Sequence, residues 1–267
     1  ACFAVTEPNT GLNTTRIKTK AEKKGDKYIV SGQKVWISTA QIAEKILLLA
    51  RTTPIEECRK PADGLTLFYT DFDRKYVEVR EIDKLGRKCV DSNQVFFDGM
   101  PIPEMDRIGE EGKGFQYILH GMNPERILIA SESVGLGRCA LKRATQYAKE
   151  RIVFDRPIGQ NQGIQHPLAA NWMALEAANL MVFKAAWLYD NGKPSGAEAN
   201  SAKYLAGEAG FDACQQAVMT HGGYGYAKVY HVEPSLRELM VPRIAPPTQH
   251  LIHSIIAHKV LGLQYTK

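Results

Sequence analysis

The hydrophobic pattern of this 267-residue chain changes its period near Gly109. Before this point, short apolar runs such as residues 45–50 lie between turn residues, and residues 77–82 alternate between apolar and polar side chains. Both patterns are typical of β-strands. About six such runs with no helical segment among them predict a barrel or a sandwich.

Beyond Gly112 the apolar residues recur at helical spacing. One long helix is predicted to end at Arg151, with Asn123 as its N-cap and Pro124 in its first turn. Further helices are predicted over residues 167–190, 198–220 and 248–261. The chain is therefore predicted to be an α+β multidomain protein. A β-barrel or sandwich domain over residues 1–110 should precede an antiparallel helical domain of four-helix-bundle type over residues 111–267.

Composition excludes several classes of protein. The 34 basic and 29 acidic residues are interspersed along the sequence. The sequence therefore shows no concentrated basic face, and we do not predict nucleic-acid binding. We expect no membrane span and no secretion, because no apolar run reaches membrane-spanning length and no signal peptide is visible. Five widely spaced cysteines favour free thiols in a reducing compartment over a disulfide framework.

Two segments of the β half carry recognisable motifs. Residues 1–11 read ACFAVTEPNTG, and residues 30–38 read VSGQKVWIS. Together they resemble the flavin-binding strands of the acyl-CoA dehydrogenase family. The resemblance extends from Phe3 to about Gly262. It implies FAD as cofactor, and it implies that the chain starts at the family's middle domain, without the helical domain that precedes it there.

The resemblance implies where this chain would contact a flavin. Phe3, Val5 and Thr6 match positions near the pyrimidine side of the ring, and Trp36 and Ser38 match positions beside the central ring. Taken alone, a tryptophan in a strand is usually a core residue, and the paired motifs favour the flavin interpretation.

The helical half contributes a second group of matching residues. The run RIVFDR from Arg151 and the later Gln162 resemble a family segment that reaches the flavin of a neighbouring subunit, although Asp155 replaces the usual glycine. The run HGGYGY resembles a turn near the adenine. The cofactor contacts implied in this half are Arg151, Phe154, Gln162, Gly222, Gly223, Thr248 and His250.

The catalytic base is the most discriminating prediction. Oxidation of an acyl-CoA needs a carboxylate to remove the α-proton, and many family members carry it in a C-terminal loop. Here the aligned residues 245–248 read APPT, without a carboxylate. The isovaleryl and long-chain branches place their glutamate in a motif that resembles Asn123-Pro124-Glu125-Arg126, so Glu125 is the predicted base and Asn123 and Arg126 are predicted to bind substrate. A glutamate that only offsets the helix dipole remains the alternative.

Pro246 departs from the family pattern in a second way. The resemblance implies that a backbone N–H at this position donates to the thioester carbonyl, and proline has no N–H.

Other candidates are weaker. His250, His253 and His258 invite a metal interpretation, but no carboxylate lies nearby in sequence and we predict no metal site. Trp172, Trp187 and Tyr189 lie among apolar residues of a bundle helix and are predicted to be core residues. The absence of a Gly-x-Ser-x-Gly elbow and of a phosphate-binding Gly-Lys-Ser/Thr loop disfavours hydrolases and nucleoside triphosphatases.

The sequence therefore predicts an FAD-dependent enzyme that converts an acyl-CoA to its trans-2-enoyl-CoA, in fatty-acid or branched-chain amino-acid catabolism. The resemblance implies electron-transferring flavoprotein as partner, a homodimer or homotetramer, and a mitochondrial or bacterial cytoplasmic location. Two alternatives stay open: a weak or inactive family member that binds acyl-CoA or a partner, and a flavin oxidase with a non-CoA substrate. Acyl chain length is not readable from the sequence.

Overall fold

The computed structural model describes residues 1–264 and divides into two compact units, Ala1–Gly121 and Met122–Lys267. The first unit is built on a β-sheet and the second is helical, which confirms the predicted fold class. The functional domain bounds 1–110 and 111–267 stay a prediction.

The first unit contains eight strands that form one mixed sheet. Their bounds are β1 Cys2–Ala4, β2 Lys20–Lys24, β3 Lys27–Ser38, β4 Lys45–Arg51, β5 Leu65–Asp71, β6 Val77–Glu81, β7 Ser92–Pro103 and β8 Arg107–Ile108. The order across the sheet is β6-β7-β3-β2-β4-β5-β8, and β1 pairs in parallel with β4. The first strand therefore joins the sheet through its pairing with β4.

Alternation along the long strands creates the core of this unit. Tyr28 and Val30 of β3 point inward, where Tyr28 packs edge-on against Phe68 at 5.0 Å between ring centroids. Ile46 and Leu48 of β4 follow the same period of two.

A single buried arginine organises the loop that follows β4. The Arg51 guanidinium donates hydrogen bonds to five backbone carbonyls, those of Thr15, Ile17, Thr53, Pro61 and Asp63, at 2.8–3.3 Å. The loop from Thr52 to Gly64 thus takes its shape from one side chain.

Six α-helices and a short hairpin follow the strands in the described chain. Their bounds are α1 Gly114–Glu150, β9 Ile152–Val153, β10 Arg156–Pro157, α2 Gln162–Asp190, α3 Gly196–His221, α4 Glu233–Glu238, α5 Met240–Ile244 and α6 Gln249–Lys259. Helices α2 and α3 pack against each other and are joined by a short turn, so they run antiparallel.

The predicted start of the first helix was wrong. Helix α1 begins at Gly114, so Asn123 is not an N-cap and Pro124 lies inside the helix. The first turn is fixed by packing, because a side chain at Gly114 would lie 2.5 Å from the Leu67 backbone nitrogen, and Ile118 is buried. Pro124 removes one backbone hydrogen bond, which the surrounding helix tolerates.

Helix α2 also starts earlier than predicted, at Gln162 instead of Pro167. The Asn161 carbonyl accepts the N–H groups of Ile164 and Gln165, so the first turn forms ahead of the proline.

The second unit has an alanine-rich core that allows close helix packing. Helices α1 and α3 approach closely where a side chain at Gly137 would lie 2.9 Å from the Gly210 Cα and one at Gly210 would lie 2.6 Å from the Ser133 carbonyl oxygen. Glycine is therefore required at this crossing.

The predicted core positions of Trp172, Trp187 and Tyr189 were wrong, because all three are exposed. Helix α2 buries a stripe that includes Leu175, Ala178 and Val182. A second apolar face carries Trp172, Leu180, Phe183 and Trp187, and nothing within the described residues covers it. We call these four side chains the α2 apolar face.

Candidate active site

Segment 1–6 lies beside the end of β3. The Val35 N–H donates to the Thr6 carbonyl at 2.9 Å, and the Thr39 hydroxyl donates to the Ala1 carbonyl at 3.2 Å. The two segments therefore run antiparallel, and the two sequence motifs of the β half meet in space.

The predicted cofactor residues of this unit form an exposed surface. Phe3 is 41% exposed and Trp36 is 58% exposed, while Ser38 is exposed and Thr6 is half-buried. Val5 is different: its side chain is buried, so it can offer only backbone groups. The result is an aromatic surface with hydroxyl groups at its edge.

Lys34 and Glu7 form a buried ion pair that sequence reasoning missed. Lys34 Nζ lies 3.0 Å from Glu7 Oε1 and donates to the Val5 carbonyl at 2.8 Å. Burial lowers the pKa of Lys34 to about 8 against the raising effect of Glu7. Burial alone would raise the pKa of Glu7, but the Lys34 ammonium and hydrogen bonds from Thr19 and Lys18 outweigh it, so the pKa is lowered. The sequence pattern that could have revealed this pair is the period of two in β3, which places Lys34 on the same inward face as Tyr28 and Val30.

A cavity of about 350 Å³ adjoins this pair. The segment after Glu7 lines one side of it, through Pro8, Asn9 and Thr10, and Phe96 lies on another. The buried Thr10 hydroxyl has no hydrogen-bond partner among the residues that the structure describes.

In the second unit, Glu125 belongs to a polar cluster on α1. Glu125 is exposed on the helix surface, but desolvation by the protein packed around its carboxyl raises its pKa, and the nearby Arg126 and Lys203 charges oppose the rise. Arg126 Nη1 donates to Asn123 Oδ1 at 2.8 Å, whereas its buried Nε has no partner among the described residues. The structure thus brings the three predicted residues Asn123, Glu125 and Arg126 together.

Lys203 of α3 completes this cluster and was not predicted. It is 1% exposed, and its Nζ donates to the carbonyls of Pro242, Ala245 and Pro247 at 3.0, 3.1 and 2.8 Å. Burial lowers its pKa to about 8, helped by repulsion from Arg126 and opposed by Glu125. The sequence pattern that could have revealed Lys203 is its helical spacing from Ala199 and Ala206, because all three lie on the buried face of α3.

The loop that Lys203 holds offers few backbone donors. Pro246 and Pro247 have no N–H, and the Ala245 N–H already donates to the Val241 carbonyl at 2.8 Å. A shift by one residue toward the N-terminus would therefore not restore the donor that Pro246 lacks.

The predicted residues that follow α1 lie on or beside a tight hairpin. Strands β9 and β10 are joined by Phe154 and Asp155, with φ values of 51° and 60°. Two positive φ values are the mark of a type I′ turn, which explains how Asp155 occupies a glycine-like position. Phe154 is 93% exposed at the tip, and Gln162 is exposed in the first turn of α2.

Gly222 and Gly223 follow α3 and lie near Arg151. The Arg151 guanidinium is 5.7 Å from the ring centroid of Tyr224, which follows directly after the two glycines. A side chain at either glycine would meet no atom within 4 Å, so their backbone faces open space. His221 donates from Nδ1 to the Ala217 carbonyl and stacks on Tyr147 at 4.2 Å, which fixes this end of α3.

Thr248 and His250 lie at the start of α6. The Thr248 hydroxyl caps the helix by accepting the Leu251 N–H at 3.4 Å, and His250 is exposed. Both line a cavity of about 320 Å³ together with Arg243 and Ile244.

The predicted residues of the second unit thus form two separate groups. Lys203 and His221 lie at different ends of α3, about 27 Å apart along its axis. Glu125 and the loop before Thr248 belong to the Lys203 end, whereas Arg151, Gly222 and Gly223 belong to the His221 end.

Comparison with known proteins decides the family. Residues 2–100 match the family model described as the acyl-CoA dehydrogenase middle domain, and residues 112–261 match that of the acyl-CoA dehydrogenase C-terminal domain. The chain belongs to the acyl-CoA dehydrogenase family. It is thus a member of a family of flavoprotein oxidoreductases whose cofactor is FAD.

Individual relatives agree with this assignment. The acyl-CoA dehydrogenase fadE12 of Mycobacterium bovis is 38% identical over 98% of this chain and 67% of its own length. The chain thus spans about two thirds of the length of this acyl-CoA dehydrogenase.

Two solved structures share the fold at similar coverage. A glutaryl-coenzyme A dehydrogenase in complex with glutaryl-CoA has a TM-score of 0.93 at 30% identity, over 99% of this chain and 66% of its own. A chain from the electron transferring flavoprotein study of Acidaminococcus fermentans has a TM-score of 0.92 at 29% identity, over 97% of this chain and 68% of its own.

In this acyl-CoA dehydrogenase family member, the exposed side chains of the first unit fit the binding of FAD. A flavin ring requires an apolar wall with hydrogen-bonding groups at its edges. The exposed rings of Phe3 and Trp36 and the hydroxyls of Thr6 and Ser38 have this chemistry.

Neither a metal site nor a membrane-spanning helix is found in the described part of the chain. Within residues 1–264, no three His, Cys, Asp or Glu side chains converge to hold a metal ion. No described helix is both long and apolar enough to cross a bilayer. The five cysteines are all free thiols.

Proposed function

We propose that the protein catalyses the FAD-dependent α,β-dehydrogenation of an acyl-CoA thioester to the trans-2-enoyl-CoA, with Glu125 as the base. The observation that carries this proposal is the place of Glu125 beside Arg126 and near the buried Lys203, a setting whose desolvation raises the pKa of the carboxyl. A base with a pKa closer to neutrality removes a weakly acidic proton more effectively.

The residues around Glu125 have distinct roles in this proposal. Glu125 Oε takes the α-proton of the acyl group, and the Arg126 and Lys203 charges stabilise the carboxylate before that step. Asn123 holds the Arg126 guanidinium, which leaves Arg126 Nε for a substrate oxygen. FAD, when bound, supplies the acceptor for the hydride that leaves the β-carbon.

The first unit would hold the flavin. Trp36 and Phe3 provide apolar surface, and Ser38, Thr6 and the Val5 backbone provide hydrogen bonds. The exposure of both aromatic rings supports this role, since a core function would bury them.

The Arg151 group would serve a different flavin from the one served by the Lys203 end. Arg151 and Gln162 would bind pyrophosphate oxygens, the exposed backbone of Gly222 and Gly223 would approach adenine, and Phe154 would add apolar contact. Thr248 and His250 belong to the Lys203 end and would contact the cofactor there. The distance along α3 between the two groups supports a flavin shared between subunits, and hence a homodimer or homotetramer. The uncovered α2 apolar face supports the same conclusion.

The partners follow from the reaction. An acyl-CoA is the substrate, and electron-transferring flavoprotein is the proposed acceptor that reoxidises the cofactor. The compartment would be the mitochondrial matrix in a eukaryote and the cytoplasm in a bacterium, where free thiols persist.

One observation favours a second candidate. Residues 245–247 have no free N–H to activate a thioester carbonyl, and loss of one such donor costs on the order of a hundredfold in rate. A slow acyl-CoA-binding relative, or an oxidase of a non-CoA substrate, would tolerate this loop.

The test is an anaerobic titration of the FAD-loaded protein with acyl-CoAs of graded chain length, monitored by flavin absorbance. We expect one chain class to bleach the flavin. Glu125→Gln should bind FAD as wild type does and reduce it at least about a hundredfold more slowly. Glu150→Gln, an exposed glutamate at the end of α1, is the matched control. Equal reduction rates for Glu125→Gln and wild type would refute the base assignment, and a flavin that no acyl-CoA bleaches would favour the second candidate.

A further inference from the structure

Strand β3 contains a bulge next to Trp36. Its register with β7 shifts between Lys34, which pairs with Val95, and Ile37, which pairs with Asn93. Because of the extra residue, Lys34 and Val35 are both buried although they are adjacent. Bulges of this kind redirect a side chain and often lie next to active sites.

The bulge forces Trp36 into an unusual backbone conformation. Its φ is 63°, in the left-handed region that bulky residues avoid. The conformation is therefore unfavourable in isolation and must be held by the surrounding structure.

The buried ion pair supplies that hold. Lys34 Nζ donates to the Val5 carbonyl and pairs with Glu7, while the next residue, Val35, donates its N–H to the Thr6 carbonyl. Both bulge residues are thus bonded to segment 5–7.

Glu7 anchors the pair to a third segment. Its two oxygens accept the N–H groups of Lys18 and Thr19 at 2.7 and 2.8 Å, and the Thr19 hydroxyl donates to the Gln33 carbonyl at 3.2 Å. At Gly32, whose φ is 147°, a side chain would lie 2.6 Å from the Thr19 Cα. The three segments therefore pack without space to rearrange.

We propose that the Lys34–Glu7 ion pair is a positioning device, which locks the β3 bulge so that the strained Trp36 stays displayed beside Phe3, Thr6 and Ser38. Its link to the cofactor rests on the proposed flavin-binding role of those residues. Lys34 and Glu7 are positioning residues, since both are buried and act through Trp36 and the Val5–Thr6 backbone.

The pair can be removed without leaving a buried charge. A single substitution such as Lys34→Met would strand the Glu7 carboxylate, which is strongly destabilising, whereas replacing both charges is often tolerated. In Glu7→Gln/Lys34→Met, the amide oxygen of the new side chain can still accept the Thr19 N–H. Tyr28→Phe is the matched control, because it removes the hydrogen bond from the buried Tyr28 hydroxyl of the same strand to Glu111 without touching the bulge.

The experiment measures three quantities on the full chain: the thermal midpoint, the hydrogen exchange of the Val35 amide without FAD, and the Kd for FAD. We expect Glu7→Gln/Lys34→Met to exchange Val35 at least about tenfold faster than wild type, even where its thermal midpoint is close to wild type. Its Kd for FAD should rise at least about tenfold. Tyr28→Phe should change neither the Val35 exchange rate nor the Kd for FAD by more than about twofold. Wild-type exchange at Val35, or wild-type FAD affinity, in the double variant would overturn the proposal.

A second comparison applies if the double variant does not fold. Trp36→Gly removes the strain at the positive φ. Glu7→Asp keeps both charges but shortens the side chain that holds Lys34 by one methylene, so it should accelerate Val35 exchange much less in the Trp36→Gly background than in wild type. Equal acceleration in both backgrounds would contradict the proposal. Val35 exchange is measured without FAD, so it tests whether the ion pair locks the bulge even if the chain binds no FAD. Absence of FAD binding would refute the proposed function only.

Discussion

At the scale of single residues, Glu125 gives the protein a definite pH dependence of stability. Its raised pKa means that the folded chain binds this proton more tightly than the unfolded chain, whose carboxyl titrates near 4.5. Stability therefore falls as the pH rises from 4.5 to the raised value, and the loss remains above it. Glu125→Gln does not titrate and should be more stable than wild type at neutral pH.

Urea unfolding of both proteins across the pH range tests this expectation. The difference should disappear below about pH 4, where the carboxyl is protonated in both states. Glu150→Gln is the control for loss of another exposed carboxylate of α1. A difference that does not depend on pH would show that burial of Glu125 is not its cause.

Lys203 should act on the same carboxyl through its charge. The ammonium lowers the pKa of Glu125, so Lys203→Met should move the acid limb of the kcat/KM profile to higher pH. The variant also leaves three buried carbonyls without a donor, each at a cost of roughly 1–3 kcal/mol.

The pH–rate profile separates these two effects. Lys184→Met, an exposed lysine of α2 that pairs with Glu198, is the control for loss of a positive charge. A stability loss without a shifted acid limb would mean that Lys203 only holds the loop.

At the scale of elements, the β9–β10 hairpin allows a clean test of backbone strain. Asp155 has a φ of 60°, where glycine is unstrained and alanine is not. Asp155→Gly should therefore be more stable than Asp155→Ala by roughly 1–2 kcal/mol, measured by chemical unfolding. Equal stability of the two variants would mean that the tip relaxes away from this conformation.

Elements with one buried face were predictable from the sequence, and elements shaped by packing were not. The alternation of β6 and the run of β4 follow directly from side-chain polarity. The start of α1 does not, because contact of Gly114 with the Leu67 backbone outweighs the signal of Asn123-Pro124. Helix α2 has two apolar faces, and the sequence does not say which one is covered.

The candidate site divides in the same way. The family resemblance pointed to Trp36, Glu125 and Arg151 through the order and spacing of its motifs, because each of these residues taken alone has a common structural role. Lys34 and Lys203 were not predicted, because lysine is almost always exposed and its burial depends on oxygen atoms from distant segments. Those oxygens become visible only once the chain is folded.

At the scale of the whole molecule, the α2 apolar face predicts self-association. Leu180 is 72% exposed and Phe183 is 66% exposed, which is costly for a helix that remains in water. Leu180→Glu/Phe183→Glu should shift the protein to monomer in analytical ultracentrifugation while the thermal midpoint at low concentration stays unchanged.

A control on another helix makes the result specific. Leu128→Glu introduces a charge at an equally exposed site of α1 and should leave the assembly intact. If the double variant sediments as wild type does, the α2 apolar face is not the interface.

The five carbonyls gathered by Arg51 have a consequence for how the first unit breaks down. One guanidinium holds the segments near Thr15, Thr53 and Pro61. We therefore expect these segments to become disordered together and not one after another. Their disorder would come as a single event, and a protease that cuts after Arg59 would report that event directly. We therefore expect the loop from Thr52 to Gly64 to resist cleavage while the Arg51 hydrogen bonds are intact, and to be digested once they are lost.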